Sequence, residues 1–164
     1  MSQQVTTSAS DLGSAAAAVV PTSANGGSPH VRLPALPSAV PWARRIVQQK
    51  LREWQLEGMS DPALLLVSEL VTNAVQASAR HAVRYGGSWP IIGLELRLTD
   101  TALMVEVWDT SPALPVLQIA DLEGERGRGL VLVDFLADSW GHRAAGGGKV
   151  VWCAVATIHS PAAG

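Results

Sequence analysis

LVSELVTNAVQAS, Leu66 to Ser78, is a run of Leu, Val and Ala suited to a buried helix, yet it carries Glu69 and Asn73 one turn apart. Side chains four positions apart on an α-helix differ by about 40° around its axis, so Glu69 and Asn73 share a face, continued by Gln76 and Arg80. Ala63, Val67, Val71 and Ala74 fall nearly opposite and form the side that packs. A carboxylate beside a carboxamide is chemically useful. The first can take a proton from a hydroxyl, and the second offers a neutral oxygen to Mg2+ and a donor to phosphate. The same pattern also suits a solvated stripe, and nothing inside this helix separates the two readings.

The segments around it supply the frame. His30 to about Leu36, HVRLPAL, reads as a short edge strand, because its prolines would interrupt a central ladder. Ser38 to about Leu56 reads as a helix capped by Ser38 and ended by Gly58, with Val40, Ala43, Val47, Leu51 and Trp54 at helical spacing. The helix of the opening stretch spans Asp61 to about Arg80, with Asp61 as N-cap and Pro62 at the first helical position. IIGLELRLTD and ALMVEVWD form a hairpin turning near Asp100 and Thr101. Thr110 to Arg128 is a long loop, GLVLVDFLADSWG an amphipathic helix, and WGHRA with KVVWCAVATI a final hairpin around AAGGG. This order predicts an α+β two-layer sandwich, a mixed but mainly antiparallel sheet covered on one face by helices.

Composition narrows the setting. The 164 residues allow one domain, read here as 30–160, between a Ser/Thr/Ala/Gly-rich tail over 1–29 and a short tail over 161–164. A formal charge of -2 provides no field for nucleic acid or an anionic membrane, so neither is an expected partner. No run approaches the length of a membrane span, and Ala15 to Val20 lacks the basic flank of a secretion signal. The single cysteine, Cys153, allows no internal disulfide, which points to the cytoplasm.

Three further motifs bear on the polar pair. Alternation along ALMVEVWD sets Leu103, Val105, Val107 and Asp109 on one side, and Met104, Glu106 and Trp108 on the other. If the first set faces the helices, Asp109 is a carboxylate at the edge of the interior that needs a donor, such as the amino group of a purine. A turn aspartate capping the backbone of TSP fits equally well. GERGRGLVLV, Gly124 to Val133, brings Gly127 and Gly129 to the start of a helix, where free N–H groups favour an anion, with Arg126 and Arg128 adding charge. It lacks the P-loop pattern. GGGKVVW, Gly146 to Trp152, reads alone as a hairpin turn.

Taken in order, ELVTNA (Glu69–Ala74), VEVWDTSPALP (Val105–Pro115), RGRGL (Arg126–Leu130) and GGKVVW (Gly147–Trp152) resemble the ATPase boxes of the GHKL superfamily over about His30 to Ile158. More narrowly, the chain resembles the small ATP-binding regulators related to anti-sigma-factor serine/threonine kinases. The resemblance implies the Bergerat fold, with ATP between the helical layer and a lid. It implies Glu69 as general base, Asn73 as Mg2+ ligand, Asp109 as acceptor for the adenine amino group, and Gly127 and Gly129 as lid glycines beside the phosphates. Arg126, Arg128, Leu130 and Lys149 join the nucleotide-contacting set through the boxes they belong to. Two departures stand out: Thr110, Ser111 and Pro112 follow Asp109 where glycines are usual, and Val150 stands where a threonine often reaches the base through water. Losing that hydroxyl would weaken binding by about 1 kcal/mol.

The resemblance therefore implies a cytoplasmic regulator that binds ATP and Mg2+, phosphorylates an anti-sigma-factor antagonist and sequesters a sigma factor, possible homodimers included. A non-catalytic module whose lid is ordered by ATP is the alternative. A helix-covered sheet that binds a protein without nucleotide is a third.

Overall fold

The strand Ala102–Asp109 organises the domain, pairing on one side with the strand before it and on the other with the last strand of the chain. The computed structural model describes residues 31–86, 90–115 and 128–157. In chain order these form β1 (Val31–Pro34), α1 (Ala39–Glu53), a 3-10 turn (Glu57–Met59), α2 (Ser60–Tyr85), β2 (Ile91–Leu98), β3 (Ala102–Asp109), α3 (Arg128–Leu136), β4 (Ser139–Ala145) and β5 (Gly148–Ala156). The sheet has the order β1-β2-β3-β5-β4, and every described pairing is antiparallel. This is the expected two-layer sandwich, with β1 as an edge strand. The predicted terminal tails lie outside the described residues.

Helix α1 buries Ala39, Ala43, Val47 and Leu51, one residue per turn. Ser38 occupies its N-cap position but makes no side-chain capping bond. Its end departs from expectation. Gln55, not Gly58, reverses the chain, with a left-handed φ of 58°. The Gln55 N–H donates to the Arg52 carbonyl at 3.0 Å and the Leu56 N–H to the Leu51 carbonyl at 2.8 Å, the paired bonds of a Schellman motif. Leu56 then packs on the core, and that contact holds a non-glycine residue in this conformation.

Helix α2 begins at Ser60, so Asp61 lies within its first turn, complementing the helix dipole instead of capping. It runs past Arg80 to Tyr85, where Gly86 at φ 71° ends it. Ala63, Val67, Val71 and Ala74 are buried against the sheet, as the periodicity predicts. Helix α3 is shorter than expected: it stops at Leu136, and Ser139, Trp140 and Gly141 belong to β4. The sheet captures this segment, since the Asp138 N–H donates to the Ala154 carbonyl at 3.0 Å and the Asp138 carboxylate accepts the Ala156 N–H at 2.6 Å.

The alternation expected along β3 holds, with Leu103, Val105 and Val107 in the main core. On the outer face Met104, Val150, Trp152 and Ala154 form a second buried cluster, to which no helix contributes among the described residues. The Trp152 ring lies across Gly141, where a Cβ would come within 2.9 Å of it, and Trp108 Nε1 donates to the Ala145 carbonyl at 2.8 Å. Glu106, 5% exposed on this face, accepts from Arg143 at 2.7 Å and Arg97 at 3.2 Å. Burial pushes its carboxyl up, against the pull of Arg143. The Trp152 and Trp108 rings thus belong to this outer cluster, and Arg97 and Arg143 pair with the carboxylate on the same face.

Candidate functional site

Between α2, the end of β3, the Ser111–Pro115 segment, the start of α3 and β5 lies a cavity of about 560 Å³. Asn73, Asp109, Gly129, Leu130 and Lys149, drawn from all four sequence boxes, line it together.

Asn73 lines this cavity from α2, whose apolar side is fixed on the sheet, whereas Glu69, one turn earlier, does not line it and lies against Gly129. Gly129 of α3 rests directly on both side chains: a Cβ there would fall 2.5 Å from Glu69 Oε2 and 3.4 Å from Asn73 Nδ2. Only a glycine lets the start of α3 approach so closely without displacing the carboxylate. Burial raises the Glu69 pKa, which makes its carboxylate a better proton acceptor than an exposed glutamate. Asn73 Nδ2 is buried with no hydrogen-bond partner among the described residues, a donor left for a ligand.

Asp109, 1% exposed, ends β3 facing the same interior. The turn reading of it holds, and the donor that the buried carboxylate needs is supplied within the chain by Lys149. Its Oδ1 accepts the Ser111 N–H at 2.8 Å, capping the turn, and also accepts from Lys149 Nζ at 2.9 Å. Lys149 donates in addition to the Ser111 carbonyl at 3.2 Å. Burial pushes the Asp109 carboxyl up, and the Lys149 bond pulls against it. The cross-strand register Asp109↔Lys149 creates this pairing. The same register turns Val150 away, into the outer cluster with Met104 and Trp152. The expected weakening of binding through Val150 therefore has no basis, because its side chain is on the wrong face of the sheet.

The sequence profile of the histidine kinase-like ATPase domain matches residues 33–155. The chain belongs to this family. Similar solved structures include two nucleotide-free forms of the catalytic domain of histidine kinase ThkA. One has 15% identity and a TM-score of 0.48, the other 13% and 0.43, and each alignment covers 78% of this chain and 95% of that domain. No curated protein matches the chain.

As a histidine kinase-like ATPase domain, the chain has an ATP-binding fold, and the cavity falls in the size range of small-molecule sites. No group of three or more His, Cys, Asp or Glu among the described residues could hold a metal by itself. The Asn73 carboxamide suits Mg2+ that takes its remaining ligands from phosphate and water. Arg126 and Gly127 lie outside the described residues, and Arg128 is the first residue of α3.

The extension of α2 supplies residues that the sequence reading did not assign. His81, Arg84 and Tyr85 line the cavity beyond Arg80, with the His81 and Tyr85 rings 4.7 Å apart and the Arg84 guanidinium 5.6 Å over the Tyr85 ring. The absence of any glycine or proline between Ala63 and Tyr85 is the signal that could have extended the helix. Buried Ser78, whose Oγ accepts the Thr110 N–H at 3.3 Å, ties α2 to the end of β3. No helix among the described residues is long and apolar enough to cross a membrane.

Proposed function

We propose that this histidine kinase-like ATPase domain is a protein serine/threonine kinase that binds Mg-ATP, phosphorylates an anti-sigma-factor antagonist and thereby controls a sigma factor. The observation that carries the catalytic part is the partly buried Glu69 carboxylate beside Asn73 and beneath the start of α3. Glu69 takes the proton of the acceptor hydroxyl as its oxygen bonds the γ-phosphorus, and the bond from that phosphorus to the β-phosphate bridging oxygen breaks, releasing ADP. Asn73 Oδ1 would hold Mg2+, which would supply positive charge against the phosphates. Gly129 keeps the α3 backbone close to this corner, and Asp109 receives the adenine amino group at the other end. The sigma-factor part of the reading rests on the likeness of the four sequence boxes to those of anti-sigma-factor kinases.

Incubation with labelled Mg-ATP and candidate antagonists tests the reading. Transfer to a serine or threonine, lost in Glu69→Ala while ATP binding persists, is the expected result. ATP binding with no transfer to any antagonist would leave the non-catalytic module, in which nucleotide orders the lid.

A further inference from the structure

The Asp109–Lys149 pair is closed to solvent on both sides, with side-chain exposures of 1% and 6%. Removing both charges from water costs more than most such pairs recover, and this one sits on a cavity wall rather than deep in the apolar core. An ammonium has three N–H donors. Lys149 directs two of them at Asp109 Oδ1 and the Ser111 carbonyl, which leaves one for a ligand in the cavity that its side chain lines. The described bonds to Asp109 both end on Oδ1, which leaves Oδ2 as an acceptor. The wall thus presents an acceptor with a donor next to it. The Watson–Crick edge of adenine presents the complement, a 6-amino donor next to the acceptor N1.

Resting on the ATP reading above, we propose that Lys149 is a specificity-determining residue that donates a charge-assisted hydrogen bond to adenine N1 while Asp109 accepts from the 6-amino group. Asp109 alone reads the purine at one atom. With Lys149 fixed beside it, the site reads two. Guanine or hypoxanthine in the same pose sets a carbonyl oxygen against the Asp109 carboxylate and an N1–H against the Lys149 ammonium, so both contacts fail. The bonds to Asp109 and Ser111 hold the ammonium in place before the base arrives, so little side-chain freedom remains to be lost on binding.

Calorimetric titration of the full chain with ATP and with 1-deaza-ATP, in which N1 is replaced by C–H, tests this. The unaltered protein is expected to bind 1-deaza-ATP roughly 10- to 100-fold more weakly, because the analogue leaves a charged donor unpaired. Lys149→Met is expected to bind the two nucleotides equally. Equal affinity of the unaltered protein for both would overturn the role of Lys149, reduce the ion pair to a structural tie and leave the ATP reading standing. Binding of neither nucleotide would overturn the ATP reading itself. The first comparison requires no variant, so it holds even if loss of Lys149 prevents folding.

Discussion

Glu69 occupies a costly place for a carboxylate, partly buried against Gly129, and burial raises its pKa. A raised pKa means that the folded protein holds this proton more tightly than the unfolded chain does. Its contribution to stability is therefore present at low pH and is lost as pH rises through the folded value. Glu69→Gln is accordingly expected to raise the thermal midpoint at neutral pH while abolishing phosphoryl transfer and sparing ATP binding; a lowered midpoint would contradict the assigned burial. In the unaltered protein, transfer should fall away on acidification above the ordinary glutamate value of 4.5, because a neutral carboxyl cannot accept the hydroxyl proton. A pH–rate profile that stays flat down to 4.5 would exclude Glu69 as the base. The shared face of Glu69 and Asn73 and the inward side of Asp109 were legible in the sequence because helix and strand periods dictate which neighbours share a face, while their roles were implied only by the resemblance of the boxes. The partnership of Asp109 with Lys149 was not, since it joins residues 40 positions apart through strand register.

Two turns show how packing overrides local preference. Gln55 adopts a left-handed backbone for which a side chain is unfavourable. Gln55→Gly should stabilise the domain by about 0.5–1 kcal/mol, the relief of that strain less the added freedom of the unfolded chain. Denaturant midpoints would measure it, and no gain would mean that the Gln55 side chain makes a compensating contact. In the glycine run before β5, Gly146 and Gly147 take φ of 52° and 79°, the signs of a type I′ hairpin turn. Gly148 is needed for a different reason, since a Cβ there would collide with the Asp109 carbonyl. Gly148→Ala should therefore cost about 2 kcal/mol or more and weaken ATP binding by moving Asp109, whereas Gly147→Ala, with open space around it, should cost about 1 kcal/mol and leave affinity unchanged. Equal effects from the two variants would remove this distinction. The sequence reading took the run as a hairpin turn and as part of the fourth box but not as a contact of Gly148 with Asp109, because a close approach between two backbones leaves no mark beyond the glycine itself.

The sheet as a whole encloses Cys153, fully buried between Val105 of β3 and Trp140 of β4, and burial pushes its thiol up to about 12. Thiol reagents require the thiolate, so alkylation in the native protein should occur only through opening of the sheet. Mg-ATP at about 100 times its dissociation constant should slow that labelling by up to about 100-fold, equivalent to roughly 2.7 kcal/mol. Labelling unaffected by nucleotide would mean that ATP does not stabilise this fold. The single cysteine in the sequence makes the measurement unambiguous.

Hydrophobic period and element order were enough to read a helix-covered, mainly antiparallel sheet, because backbone geometry repeats every 3.6 or two residues whatever lies across from it, and the resemblance of the boxes joined ELVTNA, Asp109 and Gly129 into one expected site. Other features required the assembled fold: the buried outer face with Trp152 and Trp108, and the placement of Lys149 instead of Val150 beside Asp109. Each depends on which residue of one element meets which residue of another. A one-position change of register would exchange Lys149 for Val150 at the cavity, and only the paired strands decide between them.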